Sequence, residues 1–75
     1  MGMGSEKVWH VLNDPRAGAR KLAEAISLDP ALRKLVLKVA NSAYYRRQER
    51  IHELTRAVIL IGFAGVSQLL RSNRL

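Results

Sequence analysis

Seventy-five residues with thirteen Lys plus Arg, six Asp plus Glu and no cysteine allow at most one small domain. A chain this short buries only about 60% of its unfolded surface, which argues against a deep enzyme cleft with its own supporting shell and favours tight packing or self-association. The absence of cysteine removes disulfides, thiolate metal sites and cysteine nucleophiles and fits a reducing cytoplasm, while the net charge of +7 points to an acidic partner.

Residues 1–5, Met-Gly-Met-Gly-Ser, are read as a leader outside the domain, which then spans 6–75. They carry neither the basic start nor the apolar stretch of a secretory signal. A first short helix is predicted over 6–12, with Val8, Trp9 and Leu12 on one side. Asn13-Asp14-Pro15 ends it and offers a new start, Asp14 as N-cap and Pro15 in the first turn. The second helix is predicted to run from there to about residue 28, burying Ala19, Leu22, Ala23 and Ile26 and exposing Arg16, Arg20, Glu24 and Ser27.

Asp29-Pro30 repeats the start signal. The third helix follows with Leu32, Leu35, Val36, Val39 and Ala40 on the i, i+3, i+4, i+7, i+8 template, and Asn41-Ser42 closes it because both side chains compete for nearby backbone groups. Residues 43–50 carry no apolar period beyond Tyr44 and Tyr45 and are predicted to be a loop. A fourth helix over 53–61 presents Leu54, Ala57, Val58 and Ile61, with 58–61 apolar all round and therefore central. Gly62 is the residue expected to end it with a positive φ. A fifth helix over 63–71 carries Val66, Leu69 and Leu70. No strand pattern appears, and the longest apolar run, 57–61, is far short of the roughly 20 residues that cross a bilayer, so no membrane association is expected. The predicted fold is all-α, a compact bundle of four to five short helices with a core of Leu22, Ile26, Leu32, Leu35, Val36, Val39, Leu54, Val58, Ile61, Val66 and Leu69.

Catalytic signals are few. His10 and His52 are the only imidazoles, with no His-Asp doublet and no His pair at metal-binding spacing, and no serine or threonine has a base at a recognisable distance. No catalytic residue, metal or cofactor is assigned. Gly62-Phe63-Ala64-Gly65 faintly resembles the phosphate-binding turn of a helix-hairpin-helix, but a helix end followed by close helix approach explains both glycines. A helix-turn-helix over 21–33 fails on register, because its turn position falls on Ser27 and its inward position on Arg33, whose burial without a partner would cost several kcal/mol.

The basic residues cluster. Between 33 and 50 lie Arg33, Lys34, Lys38, Arg46, Arg47 and Arg50 against a single acid, Glu49. With Tyr44 and Tyr45 beside them, these are candidate contacts to phosphates and bases. The same cations near a helix C-terminus are also favoured by its macrodipole with no ligand at all.

The order of motifs adds a further reading. Asp14-Pro15-Arg16-Ala17, the run from Leu22 through Asp29-Pro30-Ala31-Leu32, then Asn41-Ser42-Ala43-Tyr44-Tyr45 and Ile61-Gly62-Phe63 strongly resemble the start of the HDOD domain, the HD-related output domain of bacterial signalling proteins. The resemblance covers about 13–70, and its motif residues are Asp29, Pro30, Asn41, Ser42, Ala43, Tyr44 and Gly62. It implies a helical scaffold related to HD phosphohydrolases but without their metal-binding His and Asp residues, serving regulatory contacts. Members of the family are generally longer, so the resemblance is to the N-terminal portion of the domain; many also have a glycine after the paired tyrosines, where this chain has Arg46-Arg47. The apolar residues of 58–61 and 69–70 are then expected to be partly uncovered, favouring self-association, with a homodimer as the expected state. The function expected is a non-enzymatic regulatory protein-interaction module; the alternative is a small basic nucleic-acid-binding domain using 33–50.

Overall fold

The computed structural model describes residues 3–42 and 50–72, with side chains from residue 6 onward. Four helices follow one another: α1 (Met3–Leu12), α2 (Ala19–Ser27), α3 (Pro30–Ala40) and α4 (Leu54–Ser72), with no strand among the described residues. The chain is therefore an all-α bundle. α2 and α4 each pack on the other three helices, and together they hold α1 and α3.

The amphipathic pattern explains that arrangement. α2 buries Leu22, Ala23, Ala25 and Ile26, so one helix offers apolar contact on more than one side. α3 turns the i, i+4 line Leu32, Val36 and Ala40 inward, leaving Leu35 and Val39 only partly covered. α1 starts earlier than its apolar spacing predicts, at Met3 within the segment read as a leader, and adds Val8 and Val11 to the core. Its Trp9 lies under the guanidinium of Arg71, 5.9 Å from the ring centroid, joining α1 to the end of α4.

Two start signals behave differently. At Asp29 the prediction holds: its Oδ1 accepts the N–H groups of Ala31 at 3.1 Å and Leu32 at 3.2 Å, with Pro30 in the first turn. At Asp14 it does not. There Oδ1 accepts the N–H of Arg16 at 2.9 Å, and the Asp14 carbonyl accepts the N–H of Ala17 at 3.1 Å, closing a turn with Pro15 at its second position. Gly18, a poor helix former, follows directly, so α2 begins only at Ala19 with Gly18 as an N-cap that has no side chain to offer.

α4 is continuous except at Gly62, whose φ of 83° and ψ of 162° break the helical path. The predicted break is thus present, as a one-residue interruption rather than a connecting loop. It resets the helical phase. The first half buries Leu54, Ala57, Val58 and Ile61, and the second buries Val66 and Leu70 rather than Leu69. The expected partial exposure of 58–61 and 69–70 holds for half of these residues: Val58, Ile61 and Leu70 are buried, whereas Leu60 and Leu69 are only partly covered. Ile59 is 66% exposed, so this run is not central on every side. By length and composition α4 would pass for a membrane span, with a mean hydropathy of 1.3. The break leaves two stretches of no more than about 15 Å, against a hydrocarbon layer of about 30 Å.

Candidate functional site

The motif Asn41-Ser42 does more than end α3. The Asn41 Nδ2 donates to the carbonyl of Leu37 at 2.9 Å, one turn back, and to the carbonyl of Ile51 at 2.8 Å. Its Oδ1 accepts the N–H of Ile51 at 2.7 Å. One side-chain amide thus satisfies both backbone groups of a residue ten positions away and holds the 50–53 segment against the end of α3. The sequence predicted the local competition with the helix backbone; the contact to Ile51 carries no sequence signal.

This clamp decides which charged residues meet. Lys34 and Lys38 stand one turn apart on the exposed side of α3, and pinning Ile51 places Arg50 and His52 opposite them. Together with Asn41 and Ser42 they rim an open concavity of about 660 Å³ whose floor is Leu35, Leu37 and Ile51. On the other side of the 50–52 ridge a second concavity, about 700 Å³, is rimmed by Arg50, His52, Arg56 and Glu53 over Ile51, Ile59 and Leu60. Among the described residues no carboxylate lines the first, and Glu53 is the one acid lining the second.

Of the residues singled out as anion contacts, Lys34, Lys38 and Arg50 are brought together. Arg33 is not: it lies beside Ser27, Pro30 and Ala31, in a shallow hollow that only Lys34 shares with the others. Tyr44, Tyr45, Arg46 and Arg47, with the motif residue Ala43, lie outside the described residues. Among the family-motif positions Asp29 and Pro30 start α3, Asn41 is the clamp, Ser42 lines the first concavity and Gly62 breaks α4. Since Gly62 is the sole non-helical residue between the two halves of α4, no phosphate-cradling hairpin forms there.

His52 and Arg56 also rim the site, although neither was selected as a contact. Arg56 had a legible signal: it falls opposite the buried line Leu54, Ala57, Val58 and Ile61, one turn before Ile59 and Leu60. His10 lies on α1, which contributes no residue to either concavity. Among the described residues no three of His, Cys, Asp and Glu side chains come together.

What the site offers chemically is cationic hydrogen-bond donors around apolar floors. A family model described as HDOD domain matches residues 5–75, essentially the whole chain. Comparison with curated proteins and with solved structures returns no match.

Proposed function

The chain belongs to the HDOD domain family, and on that footing we propose that it is a non-enzymatic regulatory module that acts by binding protein, a second copy of itself included. The observation that carries this reading is the pair of apolar-floored, cation-rimmed concavities on either side of Ile51, with Ile59 exposed in the second of them. An open apolar floor with charged edges suits a protein surface better than a small reacting substrate. Both aspartates have structural tasks, Asp14 in closing a turn and Asp29 in capping a helix. Sedimentation over a wide dilution series, together with an assay for phosphate-ester hydrolysis, tests the reading. Association without turnover is the expected result, and a strict monomer that binds no protein, or a chain that turns over ester, overturns it.

A second reading has its own observation. Lys34, Lys38 and Arg50 share one rim, at the end of α3 that leads into Tyr44-Tyr45-Arg46-Arg47, which suits a nucleic-acid backbone. Titration with mixed-sequence DNA and RNA at two salt concentrations decides it. Affinity that falls steeply with salt supports nucleic-acid binding, and no shift at low ionic strength excludes it.

A further inference from the structure

We propose that the groove between the 50–53 segment and the first half of α4 receives an acidic amphipathic helix from a partner protein. This rests on the reading of the domain as a protein-binding module and names the partner's chemistry. Ile59 is 66% exposed, an isoleucine left in water on a helix that buries its other large apolar side chains wholly or in part. Arg56, Ile59 and Leu60 stand on one face of α4, at i, i+3 and i+4. Facing them is Ile51, held in place by both of its backbone groups through Asn41, so the floor is formed before any partner arrives. Preorganisation of this kind lowers the ordering cost of binding.

Charge selects the occupant. Among the described residues Arg50 and Arg56 line the groove with Glu53 as the one acid, and Lys34 and Lys38 extend the positive field beyond the shared ridge. A second copy carries the same +7 and would bring like cations face to face in a two-fold pairing. A nucleic-acid backbone would use the cations but leave Ile59 and Leu60 in water. An acidic helix with an apolar face uses both features, and the described residues offer no sheet edge with which an extended peptide could pair.

The probe is a labelled synthetic peptide with leucines at i, i+3, i+4 and i+7 and glutamates on the flanking positions, titrated against the whole chain by fluorescence anisotropy. Binding is expected, with Ile59→Ser weakening it about tenfold through lost apolar burial and Arg56→Glu weakening it as well. Because Ile59 is already exposed, the Ile59→Ser chain should keep its helical signal and melting point. Two controls separate docking from diffuse attraction to a basic protein: a peptide with glutamine in place of leucine, and Arg20→Glu on the exposed side of α2. The groove is overturned if the acidic amphipathic peptide does not bind, if the glutamine peptide binds as tightly, or if Arg20→Glu costs as much as Arg56→Glu. If the domain still associates with itself or another protein and Ile59→Ser leaves that association unchanged, the groove falls while the module reading stands. If it associates with nothing, both fall.

Discussion

The side-chain amide of Asn41 pairs with both backbone groups of Ile51, accepting its N–H at 2.7 Å and donating to its carbonyl at 2.8 Å. A third bond returns to the Leu37 carbonyl at 2.9 Å, so the residue that ends α3 also fixes where the chain re-enters the bundle. A side-chain amide suits this task because it carries an acceptor oxygen and a donor nitrogen side by side.

Asn41→Ala should therefore cost about 2–3 kcal/mol, since it leaves two part-buried backbone groups of Ile51 without partners. Asn41→Asp retains the bond from Ile51 N–H but sets a carboxylate oxygen against two carbonyls and is expected to be no better than alanine. Urea denaturation measures the loss, and amide exchange at Ile51 should accelerate in both variants.

Gly62 has open space where a Cβ would stand, so a substitution there tests backbone strain alone. With φ 83° and ψ 162° it lies in a region essentially restricted to glycine. Gly62→Ala is expected to destabilise by about 1–3 kcal/mol. Gly62→Asn should not rescue, because the left-handed helical region that asparagine tolerates has a much smaller ψ. Comparable thermal stability of the wild type and the alanine variant would refute this.

Gly18 presents the opposite case. Its backbone is extended at φ −101°, nothing stands within 4 Å of a new Cβ, and α2 begins without a side-chain cap and with Arg20 and Lys21 in its first turn. Gly18→Asp should supply a cap and a favourable charge at the helix start while restricting the unfolded chain, a gain of about 0.5–1 kcal/mol. Its denaturation midpoint should rise, and less so at high salt.

Leu69 and Leu70 are adjacent but unequal. Leu70→Ala removes a fully buried side chain and is expected to cost about 2–5 kcal/mol. Leu69→Ala, at a partly exposed position, should cost clearly less. Chemical denaturation of the two variants side by side checks the helical phase set by Gly62.

Much of the fold was legible because its signals are local. The apolar lines Leu22–Ile26, Leu32–Val36 and Leu54–Val58–Ile61 recur at helical spacing, Asp29 sits one residue before a proline, and Gly62 stands between two apolar runs; each needs only its near neighbours to act. The Asp14-Pro15 signal misled because the same two residues serve a helix start or a turn, and Gly18 tipped the balance. The choice of Leu69 over Leu70 was open in the sequence, because both stand one turn from Val66, at i+3 and i+4, and only packing buries Leu70 more deeply.

Composition and periodicity by themselves determined an all-α bundle and its excess of positive charge. Only the tertiary structure decided that Arg50 and His52 face Lys34 and Lys38, that Arg33 stands apart from them, and that Ile59 is left exposed beside Arg56. The reason is physical. Burial follows from spacing along one helix, whereas the grouping of surface charges depends on contacts between segments far apart in the chain, and here one of the decisive contacts is the amide of Asn41 on the backbone of Ile51.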